Sequence, residues 1–274
     1  MNIILVTILI FLLGTIIGSF LSVIVNRIIK KEKGILFGRS KCPKCKKTLQ
    51  AWQLIPIFSY IITGGKCAHC HKKISFEYPL IEIFTGLVLV FVYINFTLST
   101  IPAPPILAFI LPMFQTQFLL FYLFITVLLL ITITYFDLKI MAVPNLLLWI
   151  WLIVCAFSLK LTPNYLISHF YSLLIVITLF GGQILLSKSK WLGNGDFIFS
   201  LGIAALFTWE LTLVFLVLSY LIGGIIAAIL LISKKFKRQS AFPFLPFMAF
   251  ATLLTIVWGT NLLNWYLNFS FFPY

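Results

Sequence analysis

Acid is scarce in this sequence. Of 274 residues only six are Asp or Glu, and only Asp137 and Asp196 are aspartates. Charged residues make up 9% of the chain, against about 25% in an ordinary soluble domain, while 62% is hydrophobic and mean hydropathy is +1.12. Those proportions exclude a soluble globular protein and indicate a multi-span helical membrane protein. Histidine is nearly missing too. His69 and His71 share one loop and His169 stands near the outer end of an apolar run, so no serine–histidine–aspartate set can be drawn. There is no His-Glu-x-x-His helix of a zinc protease, and no glycine-rich cofactor loop. Residues 1–26 contain no Lys, Arg, Asp or Glu, so the basic region of a cleavable signal peptide is missing. They read as an uncleaved first helix with its N-terminus outside.

Positive charge is abundant but confined. The formal net charge is +14, yet 12 of the 20 Lys and Arg lie between Arg27 and Lys73. Such concentration reads as membrane topology and attraction to anionic lipid headgroups rather than nucleic-acid binding. Eight apolar runs follow one another: about Ile3–Val25, Pro79–Phe96, Ile106–Phe136, Pro144–Lys160, Tyr165–Ser187, Phe197–Thr208, Leu211–Ile232 and Phe244–Leu263. Threading them across a bilayer puts 19 of the 20 Lys and Arg on the inner side, with Lys160 alone outside, and both termini outside. The Ser99–Pro105 loop falls outside, as does a turn carrying Glu210, and the Lys234–Arg238 cluster falls inside. The Ile106–Phe136 run would measure ~46 Å if wholly helical, against a hydrocarbon core of ~30 Å, and Pro112 marks its ragged outer end. The expected fold is an all-α polytopic membrane protein of about eight transmembrane helices, with a small cytoplasmic zinc-binding insertion after the first. Its expected parts are residues 1–26, the first helix; 27–78, the basic module; and 79–274, the membrane-embedded domain.

Within the basic module stand Cys42-Pro43-Lys44-Cys45 and Cys67-Ala68-His69-Cys70, two C-x-x-C knuckles 21 residues apart. Four thiolates complete a tetrahedral shell, which suits a structural Zn²⁺ with no open position for water. Two disulfides are the alternative, disfavoured on the cytoplasmic side. His69 and His71 are then solvated neighbours, and Cys155, alone in an apolar run, is a packing residue. Small residues at Gly18-Ser19 let another helix approach the first closely. Glu82 is read as reaching back to the basic surface, and His169 as a polar packing group.

The two aspartates each stand at an apolar run's inner end: Asp137 closes Ile106–Phe136, and Asp196 ends Trp191-Leu192-Gly193-Asn194-Gly195-Asp196. An ionised carboxylate in hydrocarbon costs about 2.5–3.5 kcal/mol on insertion scales, so such residues pair or face a wet cavity. Close carboxylates titrate apart, leaving one protonated and one ionised, and that combination can activate water against an amide. Gly193 and Gly195 permit an irregular or unwound backbone beside Asp196. A proton-coupled transporter could also use paired acids, and a zinc-bearing membrane scaffold would use neither. No internal repeat favours transport.

Taken together, Gly18-Ser19-Phe20-Leu21, the two knuckles, Glu77-Tyr78-Pro79-Leu80-Ile81-Glu82, Asp137 with Val143-Pro144-Asn145, Gly193-Asn194-Gly195-Asp196 and Pro243-Phe244-Leu245-Pro246-Phe247 resemble the type IV prepilin peptidase family of G-x-G-D membrane aspartic proteases. Ser22 stands where that family commonly has asparagine, and Ile198 where it often has lysine. The resemblance implies removal of a basic leader from type IV prepilin or pseudopilin precursors at the inner face of a bacterial cytoplasmic membrane, in pilus, secretion or competence systems. It further implies methylation of the new N-terminus with S-adenosylmethionine. Its active carboxylates fall on Asp137 and Asp196.

Overall fold

A computed structural model describes residues 3–32, 34, 38–42, 44–97, 112–188, 192–233 and 242–271, with side chains at 112–116, 163 and 270–271 excepted. The expected outer loop Ser99–Pro105, Trp191, and the Lys234–Arg238 cluster lie outside the described residues. Among those described, the long elements are all helical, and the only pairing of extended backbone is two isolated antiparallel bridges, Lys41 with Thr48 and Lys66 with Lys73. Among the described residues six helices are long and apolar enough to cross a membrane, and two shorter apolar helices, Asn145–Leu161 and Asn194–Leu206, occupy the other two apolar runs. The chain divides into two compact units, Met1–Ile94 and Asn95–Tyr274.

In the first unit, α1 (Ile3–Ile29) and α3 (Glu77–Thr97) cross at glycine. A Cβ on Gly14 would stand 2.6 Å from Gly86 Cα, and one on Gly18 would stand 2.8 Å from Thr85 Oγ1. Without side chains the two backbones come close enough for van der Waals contact, the main force joining helices in lipid. α1 runs one turn beyond the expected Val25. Its Arg27 donates to the Gly34 carbonyl at 3.1 Å and the Gly38 carbonyl at 2.6 Å, tying the helix end to the loop that follows. Between the spans lies a short 3₁₀ turn, Ala51–Leu54, and α2 (Phe58–Ile62).

The second unit begins with α4 (Pro112–Ile140) and α5 (Asn145–Leu161). Leu166–Ser187 follows as one apolar helix made of α6 (Leu166–Val176), a π turn (Ile177–Gly181) and α7 (Gly182–Ser187). Then come α8 (Asn194–Leu206), α9 (Trp209–Ile232) and α10 (Leu245–Phe271). The last helix is longer than the expected Phe244–Leu263, and Glu210 sits in the first turn of α9 rather than in the turn before it. Short α8 is the packing centre, with α5 and α6 against it; α10 packs on α9 and α4. Trp151 holds α5 to α8: its indole stacks on Phe199 at 4.7 Å, and Nε1 donates to the Phe199 carbonyl at 3.0 Å. Gly202 leaves room for that indole, since a Cβ there would overlap it.

Polarity is inverted relative to a soluble core. Ile153, Ile167 and Leu186 are 68%, 73% and 83% exposed, while Ser172 and Thr212 are fully buried and hydrogen-bond each other at 2.6 Å. Outward aliphatics and inward hydroxyls suit lipid as the solvent. Cys155 is fully buried in the apolar core, as a packing residue should be. His169 is buried too, with Thr162 Oγ1 3.2 Å from Nε2 and the Ala204 carbonyl 3.4 Å from Nδ1.

Candidate active site and metal site

Asp137 lies in the last turn of α4, beside buried Tyr135 and Phe136. The helix stops four residues later at Met141, whose N–H bonds to the Asp137 carbonyl at 2.8 Å and whose φ of 49° ends the right-handed path. The side chain is only 6% exposed, and Oδ2 has no hydrogen-bond partner among the described residues. The backbone N–H of Leu245 donates to the carboxylate from the start of α10. A helix's first N–H groups have no partner within the helix, so this one is available to an anion.

Asp196 is the third residue of α8. Its Oδ2 accepts the Gly193 N–H at 3.1 Å, as an acid in a helix's first turn can do. The glycine stretch therefore differs from the expected unwound backbone. Gly193 caps the helix at φ −79° and ψ 153°, and Asn194, Gly195 and Asp196 already belong to it. The physical reason is that Asp196 satisfies the Gly193 N–H locally, so the helix can start there. Neither glycine adopts a positive φ, and a Cβ on Gly193 or Gly195 would meet only ordinary contacts, Asp196 Oδ2 at 3.4 Å and Leu148 Cδ1 at 3.7 Å.

The fold brings these two aspartates, 59 positions apart in sequence, close enough for their carboxylates to interact electrostatically. Scarcity marks the pair in the sequence. Nothing marks the Leu245 N–H, because Pro243-Phe244-Leu245 carries no polar side chain to signal it.

The knuckles form a separate site in the first unit. The Sγ atoms of Cys42, Cys45, Cys67 and Cys70 all lie within 4.8 Å of one another, and none is in a disulfide. The two halves are built alike. Lys46 N–H bonds to the Cys42 carbonyl and His71 N–H to the Cys67 carbonyl, each at 2.9 Å, with φ of 58° at Lys46 and 53° at His71. Each knuckle then returns through its single antiparallel bridge. The backbone N–H groups of Cys70 and His69 hold the Cys67 thiol below its ordinary range, while burial and the neighbouring thiols push Cys70 up, as in a cluster whose members share the proton load until a metal displaces it. Four soft donors converging in this way fit a four-coordinate metal ion, and His69 and His71 remain exposed around it.

Glu82 reaches back to the basic module, but to a backbone N–H there rather than to a cation. It is buried, and its Oε2 accepts the Ile57 N–H at 2.7 Å, with Ser19 of α1 donating to the same carboxylate. Ile57 has φ 61° and ψ −53°, and the Phe58 N–H bonds to the Pro56 carbonyl at 2.5 Å. That is a γ-turn of the strained, positive-φ kind, and Glu82 clamps it.

The fold and sites define a polytopic helical membrane protein with a carboxylate pair at two helix ends of its second unit and a four-cysteine cluster in its first. Residues 12–96 match the model of the Bacterial Peptidase A24 N-terminal domain, and residues 124–228 match that of the Type IV leader peptidase family. The chain belongs to the type IV leader peptidase family, a family of peptidases. It is 27% identical to a Prepilin leader peptidase/N-methyltransferase of Pseudomonas aeruginosa, over 95% of this chain and 93% of that protein. It is also 27% identical to proteins of the same description from Bacillus subtilis, over 95% and 97%, and Aeromonas salmonicida, over 95% and 93%. No solved structure matches significantly.

Proposed function

We propose that this protein is an aspartic endopeptidase of a bacterial cytoplasmic membrane that removes the basic leader from type IV prepilin-like precursors, with Asp137 and Asp196 as its catalytic acids. One observation carries the reading: the chain's two aspartates, far apart in sequence, stand at two helix ends close enough for their carboxylates to interact electrostatically, and Asp137 keeps a buried oxygen unpartnered among the described residues. In the reaction, one carboxylate is ionised and takes a proton from water as the water oxygen bonds to the scissile carbonyl carbon. The other, protonated, hydrogen-bonds the carbonyl oxygen. The C–N bond then breaks, and the leaving amine takes a proton from the pair. Gly193 and Gly195 leave the backbone beside Asp196 bare of side chains, so an extended substrate can approach it. The precursor's apolar helix stays in the bilayer while its leader remains in the cytoplasm, which places the cut bond at the inner interface.

The four cysteines hold a structural Zn²⁺ that folds the module and takes no part in proteolysis, and the surrounding lysines hold the module on anionic lipid. By likeness to its relatives the protein also methylates the new N-terminus, using S-adenosylmethionine as methyl donor. No set of described side chains singles out a place for that cofactor, so this activity rests on the family alone. The test of the protease assignment is replacement of each aspartate. Asp137→Asn and Asp196→Asn should insert normally and abolish cleavage of a lipid-reconstituted precursor. Full activity in either would remove the assignment.

A further inference from the structure

Gln183 and Tyr220 form a polar pair that helix packing alone does not require. Gln183 Nε2 donates to the Tyr220 hydroxyl at 2.8 Å, and that hydroxyl lies 3.1 Å from Gln183 Oε1, to which it can donate in return. Tyr220 is 41% exposed, so the pair is not a buried cross-link between α7 and α9. Its surroundings lead to both acids. The Tyr220 ring lies 6.2 Å from Phe180 in the π turn, and a Cβ on neighbouring Gly181 would stand 3.7 Å from the ring of Phe197, the residue after Asp196. On its other side Tyr220 lies 5.5 Å from Phe244, which directly precedes Leu245, the donor to Asp137. The phenol also interacts electrostatically with the Asp196 carboxylate. Single π turns recur at functional sites, and this one lies just before Gln183.

A phenol hydroxyl has one proton and two lone pairs. Gln183 can hold the oxygen through its Nε2–H while the proton turns from Oε1 to a new acceptor, so the pair survives the change. We propose that Tyr220, held by Gln183, is a positioning residue of the acid pair. When substrate binds, its hydroxyl donates to the Asp196 carboxylate, or to the water on it, and fixes that acid for proton transfer. This rests on the reading of Asp137 and Asp196 as the catalytic acids.

The test uses full-length protein in lipid and a membrane-anchored precursor with a basic leader, a glycine and a Phe-led apolar helix. Tyr220→Phe keeps the ring contacts and removes only the hydroxyl. Loss of a hydrogen bond to a charged group should lower kcat about ten- to a hundredfold, with KM and thermal midpoint unchanged. Gln183→Leu should lower kcat less, and the double variant should be no worse than Tyr220→Phe, because both act on one proton. A merely structural pair would instead lower the thermal midpoint, with kcat unchanged in folded protein. If Tyr220→Phe proves unstable, Gln183→Leu decides by the same readouts. Wild-type kcat in Tyr220→Phe, with Asp196→Asn inactive, would overturn this proposal alone. An active Asp196→Asn would remove the reading beneath it.

Discussion

Substituting Gly202 by alanine tests the packing that holds Asp196 in place. The new methyl would overlap the Trp151 indole, with 2.8 Å to Cδ1 and 3.0 Å to Cε2. The indole has no free direction of retreat, because Trp151 is fully buried, stacked on Phe199 and hydrogen-bonded to the Phe199 carbonyl. Overpacking costs about 1–3 kcal/mol, and losing the indole bond about 0.5–1.5 more. Alanine returns about 1 kcal/mol in helix propensity, so the net loss should be about 0.5–3.5 kcal/mol. Gly224→Ala on α9 is the control: nothing lies within 4 Å of a Cβ there, so the propensity gain should stand alone. Thermal denaturation in detergent should rank Gly202→Ala below wild type and Gly224→Ala at or above it. Because α8 carries Asp196 in its first turn, Gly202→Ala should also lose activity at temperatures where it remains folded. Equal stability of the two variants would refute the α5–α8 packing.

Three further outcomes follow from the first unit. Metal analysis of purified protein should find about one zinc per chain, lost in Cys42→Ser or Cys67→Ser; two disulfides by mass spectrometry would contradict it. Gly14→Val should weaken the pairing of α1 with α3, seen as a lower thermal midpoint, since its branched side chain would meet the Gly86 backbone; an unchanged midpoint would remove that crossing. Glu82→Ala should leave the Ile57 N–H unpaired at a cost of about 1–3 kcal/mol, and speed proteolysis near residues 55–60, whereas Glu82→Gln keeps an acceptor and should be milder. Indistinguishable digestion of both variants and wild type would dismiss the clamp.

What the sequence made legible follows from the solvent. In lipid a span must be continuous and apolar, so runs such as Leu211–Ile232 announce themselves, and scarce acids such as Asp137 and Asp196 stand out against them. The knuckle spacing was equally plain, because metal geometry restricts it. Less visible was anything set by backbone groups. The Leu245 N–H, the π turn at Ile177–Gly181 and the γ-turn at Ile57 have no compositional mark. Glu82 was seen, but its partner is a backbone N–H 25 residues away rather than one of the lysines nearby. Gln183 and Tyr220 carry no mark either, because one amide and one of ten tyrosines are ordinary in this chain until the fold joins them.

Standing at helix ends rather than within spans eases a problem peculiar to acids in membranes. Inside a helix every backbone N–H is committed to a carbonyl one turn back, so a carboxylate there finds no donor. At a helix start the first N–H groups are free, and the helix dipole favours negative charge. Asp196 uses this directly, taking the Gly193 N–H at the start of its own helix. Asp137 stands at the end of α4, where free carbonyls offer a carboxylate only repulsion, so its donor comes from another helix's start, at Leu245. α10 must therefore dock against α4 for Asp137 to be held, and Pro246, which has no N–H to offer, directs that role to the residue before it. The two acids end up unequal. One is served by its own helix and the other by a neighbour's, with an oxygen to spare. Unequal surroundings are what separate the roles of two like carboxylates, one keeping its proton while the other gives it up.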